Sequence, residues 1–154
     1  MPCRLRRGKP VMNEIRRVVE EQIRGTIDEL NDSGIRPAET IHQVRKRCKK
    51  VRGALRLVCD ALGDEYAFEN AWFRDAAQAL SPVRDAEAMI ETYDALSLHC
   101  GKAFDGRVMR PVRRTLVDRR DACMSDTTRV DELLAVFETR MQAARTRLAA
   151  WTLH

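Results

Sequence analysis

Aromatic side chains are scarce in this chain, at 5% of 154 residues. Single-stranded nucleic acid bound by base stacking needs exposed rings on a platform, so that mode is disfavoured. No stretch alternates apolar and polar residues with β-branched enrichment, so strands are not expected. No apolar run approaches the ~20 residues that would cross a bilayer. The basic N-terminal segment MPCRLRRGKPV lacks the apolar core of a secretory signal. Five cysteines are present (Cys3, Cys48, Cys59, Cys100 and Cys123), an odd number with no C-x-x-C pair. Free thiols in a reducing, cytoplasmic setting are the simplest reading. His99 and Cys100 adjoin but have no partners at ligand spacing, so neither a metal site nor a cofactor is expected. There is no internal repeat and no low-complexity segment.

Acidic residues are absent from one place in particular. Residues 42–56, HQVRKRCKKVRGALR, hold seven Lys or Arg and no Asp or Glu. The whole chain has 28 basic and 23 acidic residues, so the remainder carries 21 against 23. The net charge of +5 is thus concentrated in a short stripe, which points to an anionic partner. Successive residues of a helix turn by about 100°. That spacing gathers Val44, Cys48, Val51, Leu55, Val58 and Leu62 on one face. Arg45, Lys46, Lys49, Lys50, Arg52 and Arg56 fall on the other with His42, and Arg47 lies toward the flank. Like charges three or four residues apart destabilise an isolated helix by a few tenths of a kcal/mol, roughly, per pair. Carboxylates from another helix or an external anion must relieve that repulsion.

Helical periodicity runs through the rest of the chain. Met1–Pro10 is read as a basic flexible tail and residues 11–154 as one helical bundle. The first helix spans Val11–Leu30, with Ile15, Val18 or Val19, Ile23, Ile27 and Leu30 inward. It ends at Asn31-Asp32-Ser33-Gly34, with Gly34 in a cap position. Pro37 opens the second, basic helix, which is expected to reach Leu62. A third covers Tyr66–Ala79, with Phe73, Ala76 and Leu80 inward. Ser81-Pro82 reads as an N-cap followed by proline at the first helical position. The fourth helix then places Val83, Ala86, Ile90 and Tyr93 inward. Gly101 and Gly106 bracket a break, and a fifth helix covers Arg107–Met124. The sixth carries Val130, Leu133, Phe137, Met141, Ala144, Leu148 and Trp151 at near-heptad spacing. The expected fold is all-α, a bundle of about six helices with short loops.

Two segments resemble a known family. Ile41-His42-Gln43-Val44-Arg45-Lys46-Arg47-Cys48-Lys49-Lys50-Val51-Arg52-Gly53-Ala54-Leu55-Arg56-Leu57 is similar to the signature helix of the CHAD family, the conserved-histidine α-helical domains. Leu80-Ser81-Pro82-Val83-Arg84-Asp85-Ala86-Glu87 resembles that family's Arg-Asp motif at the start of a later helix. The intervening Phe73-Arg74-Asp75 and the order of the segments also fit. The resemblance implies a module that binds inorganic polyphosphate, built of two similar helical bundles around a basic channel. This chain resembles the N-terminal half, with no second histidine-plus-basic helix after Leu98. It is thus expected to be a fragment of a longer protein or a natural half-domain, and in the second case a homodimer would rebuild the two-bundle channel.

On this resemblance the polyphosphate-binding residues are His42, Arg45, Lys46, Lys49, Lys50, Arg52, Arg56 and Arg84. Arg45, Lys49, Arg52 and Arg56 are expected to line the channel, with Lys46 and Lys50 flanking. His42–Arg56 rises about 21 Å along a helix, a length that several phosphates follow. Arginine forks onto two oxygens, whereas lysine offers a point charge. Arg84, in a first turn where free N–H groups favour anions, would add a contact from a second wall. Asp85 is read either as an anchor for an arginine of the basic helix or as a favourable first-turn acid, and Arg74 as a surface ion pair. No nucleophile or paired base accompanies His42, and no metal-binding carboxylates lie on the basic face. The expected function is therefore binding without catalysis. A nucleic-acid or general polyanion binder is the alternative, disfavoured by the lack of a base-reading motif. A membrane-surface role is disfavoured because the apolar face of the basic helix is committed to the core.

Overall fold

A computed structural model describes residues 4–101, 104–149 and 151. Among these the chain is all-helical, with no strand. The elements are α1 (Val11–Leu30), α2 (Pro37–Arg56), the single turn α3 (Cys59–Leu62), α4 (Asp64–Ala79), α5 (Ser81–Cys100), α6 (Gly106–Met124) and α7 (Thr127–Ala149).

The core lies between α1, α2, α4 and α7. α1 packs on α2 and α7, and α4 packs on the same two helices. Ile15, Val19 and Ile23 of α1 meet Val44, Cys48, Val51 and Leu55 of α2, Phe73 and Ala76 of α4, and Phe137, Met141, Ala144 and Leu148 of α7 in one buried cluster. The apolar face read from the basic stripe is thus the buried face of α2. Val58 and Leu62 remain in that cluster too, although α2 ends at Arg56. The Leu57 N–H bonds back to Ala54 and Leu55, and Val58 leaves the helical region at φ −129°. The expected continuous helix to Leu62 is therefore broken. Because the apolar register survives the break, periodicity reads straight through it.

Three ends differ in detail from the sequence expectation. Asn31 caps α1 through its own N–H and its side-chain amide, both donated to the Ile27 carbonyl. Gly34 instead donates its N–H to Asp32 Oδ1 in the following turn. Ser81 is the first residue of α5 and not its cap, a place taken by Leu80. Pro37 does open α2, where its missing N–H costs nothing.

Polar side chains tie the bundle across its helices. Arg16 of α1 donates to the carbonyls of Leu148 and Trp151, filling the acceptors left open at the end of α7. Buried Glu69 of α4 accepts two hydrogen bonds from Arg147 of α7, at 2.8 and 3.0 Å. The guanidinium of Arg147 also lies 4.1 Å from the centre of the Trp72 ring. At the N-terminal end, buried Glu14 accepts from Arg17 and from the Arg6 N–H, which hold its carboxyl below the usual range.

The α5–α6 pair stands apart. α5 reaches back to α2 and α4 through its first turns, while α6 packs chiefly on α5 and contributes no buried residue. Tyr93 of α5 donates its hydroxyl to the Met109 carbonyl, and Arg113 forks onto Asp94. These contacts close an antiparallel hairpin.

Candidate functional site

The cations of α2 divide by what faces them. Arg47 turns toward α1, where Glu29 accepts from its Nε and Nη2 at 2.8 and 2.6 Å. This pairing raises the guanidinium pKa further. Its fork lies against the backbone of Gly25, where an added Cβ would come within 2.7 Å of the guanidinium carbon. Only glycine admits so close an approach, so Gly25 on α1 is shaped to Arg47 on α2.

Arg45 is also turned inward. It donates through one Nη to the Ala77 carbonyl and, at 2.7 Å, to the Ser81 hydroxyl. These groups sit at the corner where α4 ends and α5 begins. The charged side chain therefore satisfies an acceptor that a helix end leaves open. Arg52 donates to Asn70 of α4 at 2.9 Å, and Arg56 is exposed at the end of α2.

Lys46, Lys49 and Lys50 remain. Among the described residues none of the three pairs with a carboxylate. They lie along a groove of about 550 Å³ between α2 and α5, together with His42, Arg45, Arg84, Asp85 and Ala88. Six of the sequence-selected residues thus share one groove: His42, Arg45, Lys46, Lys49, Lys50 and Arg84. Arg52 and Arg56 do not line it. The second wall is α5, which meets α2 near its first turns, so residues beyond Lys50 rotate and rise past its edge. The residues assigned as flanking, Lys46 and Lys50, are lining residues.

The far wall is set by Arg84. It is mostly buried, with its side chain 18% exposed, and forks onto Glu91 one helical stretch further on, at 2.9 and 2.7 Å. The fork raises the Arg84 pKa and holds the Glu91 carboxyl below the usual carboxylate range. Glu91 is a partner that the sequence reading did not include. An acid seven residues after an arginine lies on the same helix face, and this spacing was the available signal. Asp85 is exposed on the groove edge and makes no ion pair among the described residues. Arg74 pairs with its neighbour Asp75 at the surface and stands away from the groove.

Behind the cations lies Cys48, whose thiol is buried against the core; burial pushes its pKa up to about 12. Cys48, Cys59, Cys100 and Cys123 are free thiols. Among the described residues no group of three His, Cys, Asp or Glu is placed to hold a metal ion. None of the described helices is long and apolar enough to cross a membrane.

The groove is thus a row of unneutralised ammonium groups facing a partly buried, Glu91-paired arginine, in an all-helical bundle. Residues 17–153, nearly the whole chain, match the model of the CHAD domain. The chain belongs to the CHAD domain family. No curated protein and no solved structure matches it.

Proposed function

We propose that this chain is a non-catalytic module that binds inorganic polyphosphate in the groove between α2 and α5. The observation that carries the reading is the set Lys46, Lys49 and Lys50, which no carboxylate neutralises among the described residues while Arg45, Arg47 and Arg52 are held by the protein itself. Membership of the CHAD family supports it. A chain of phosphates needs a line of cations and little shape, and three lysines within two turns of α2 supply that line. Arg84 adds its charge from the opposite wall, while its fork is held by Glu91. Arg45 contributes its charge while its hydrogen bonds serve the α4–α5 corner. Arg56 continues the line beyond the groove. His42 is placed at the groove end, where protonation would add a further donor.

Binding without turnover fits the residues present. The groove has one carboxylate, Asp85, and no nucleophile beside His42. The free thiols accord with a reducing, cytoplasmic setting. No Phe, Tyr or Trp lines the groove, which favours a base-blind polyanion over nucleic acid. The test is binding of labelled long-chain polyphosphate, competed in parallel with single-stranded RNA and DNA at near-physiological salt. Displacement by unlabelled polyphosphate alone is the expected result. Equal displacement by nucleic acid would reduce the groove to a general polyanion site.

A further inference from the structure

The groove changes sign along its length. On one side of His42 the lining cations are Arg45, Lys46, Lys49 and Lys50, with Asp85 as the only acid. On the other side it runs into a smaller cleft of about 230 Å³, which shares His42 and Arg84. That cleft is lined by Glu39, Glu87 and Glu91, with Arg36 as the only further cation. Glu39 lies one turn before His42 and accepts from the Gln43 amide. Glu91 is held by Arg84, and Glu87 lies 4.0 Å from Arg120 of α6. A polyanion lying on α2 therefore meets attraction for about 12 Å, from Lys50 to His42, and then Glu39, which no cation pairs among the described residues, backed by Glu87 and the Arg84-held Glu91. In the opposite direction it meets Arg52 and Arg56 and then solvent. The path is open at one end and blocked by charge at the other.

From this we infer that the groove takes a polyphosphate by its end, with the terminal phosphate at His42 and Arg84 and with Glu39, Glu87 and Glu91 as the stop. The inference rests on the polyphosphate reading above and adds a direction and a register to it. The chemistry of the ligand agrees. An internal phosphate carries about one negative charge, whereas a terminal one ionises twice and bears about −1.5 to −2 near neutral pH, as a phosphate monoester does. The more highly charged group then sits where His42 and the Glu91-held Arg84 line the groove together, and the singly charged units follow the lysines. Like charges held close on one track repel, so passage across the carboxylates is disfavoured relative to stopping short of them.

The experiment is the binding stoichiometry of the full chain on homogeneous polyphosphates of two lengths, both long enough to seat a protein at each end and one several times the other, measured by sedimentation or calorimetry. End capture gives the same number of proteins per chain for both lengths, at most one for each chain end. Blocking the terminal phosphates of the longer chain as esters removes one charge at each end and is expected to weaken binding about fivefold to tenfold at about 0.1 M salt. The combined variant Glu39→Gln, Glu87→Gln and Glu91→Gln, which opens the stop, lets the number bound rise with chain length. A number bound that rises with length in the unaltered protein overturns end capture and leaves polyphosphate binding intact. Absence of binding to both chains overturns the functional reading itself, and end capture with it.

Discussion

α2 and α6 carry nearly the same number of basic residues, seven in one and six in the other. They differ in what surrounds them. α2 buries Val44, Cys48, Val51 and Leu55 in the core and is walled by α1, α4 and α5. Its basic side chains are sorted by those neighbours, and three lysines are left facing a groove. α6 lies chiefly on α5 and has no fully buried residue, only Met124 at its end being packed against the core. Arg113 and Arg120 pair with Asp94 and Asp121, while Arg107, Arg110 and Arg114 are exposed with no facing wall. Basic content alone therefore does not define an anion site. A site needs fixed cations on a helix held by the core, opposite a second element that confines the ligand.

The comparison can be broken most strongly in the core. Leu55 is fully buried beneath the stripe, and Leu55→Ala is expected to cost about 2–5 kcal/mol of stability. The corresponding change on the exposed helix, Val112→Ala, should stay within about 0.5 kcal/mol. Urea unfolding of the two variants measures the difference. Comparable losses would mean that α6 is packed in a way that its exposure contradicts.

The next effect concerns binding. Replacing Lys46, Lys49 and Lys50 by alanine removes three phosphate contacts and should lower polyphosphate affinity about a hundredfold at about 0.1 M salt. Helix content by circular dichroism should be unchanged, because none of the three side chains holds a neighbouring helix. Replacing Arg107, Arg110 and Arg114 should change affinity by no more than about twofold, through screened long-range attraction alone. Equal losses from both triple variants would show that net charge and not the groove sets affinity. Arg45 is a poor choice for such a test, since its loss also opens the α4–α5 corner.

The smallest effect is one of pH. Glu91 has a folded pKa below its unfolded value because Arg84 forks onto it. Its contribution to stability is therefore present above the unfolded pKa of about 4.3 and is lost as pH falls through the folded value. Asp94, held low by Arg113 in the hairpin, follows the same sign from its own unfolded value. Both carboxylates are at least half-exposed, so each contribution is small and weakens with salt. Thermal melts of Glu91→Gln and Asp94→Asn between mildly acidic and strongly acidic pH should each show a shallower fall in stability than the unaltered chain. A steeper fall in either would reverse the assigned direction.

The division of α2 into two faces was legible in its sequence, because burial follows a fixed angular step. So was the heptad-like stripe of α7, from Val130 to Trp151, nearly all of which is buried. What an individual cation does was not legible. Arg45 and Lys46 look equivalent in the chain. Only the crossing of α2 over the end of α4 puts the Ala77 carbonyl, 32 residues away, against Arg45. Likewise the Arg47 guanidinium passes over Gly25 of α1 to reach Glu29, a route the lack of a Cβ leaves open. The break at Leu57 leaves no mark on the periodicity, because Val58 and Leu62 stay in the core without loss of register. Counting charge over the whole chain also hid α6, whose arginines are balanced by acids elsewhere in the sequence.

Cys48 gives this arrangement an internal clock. Its thiol lies directly beneath the lysines, sealed from solvent and held in the protonated, unreactive form. An alkylating reagent can reach it only when α2 lifts from α1 and α4. The rate of its modification therefore records how often the helix that presents the groove detaches, and a ligand that clamps α2 to α5 should slow that rate with no label placed near the site.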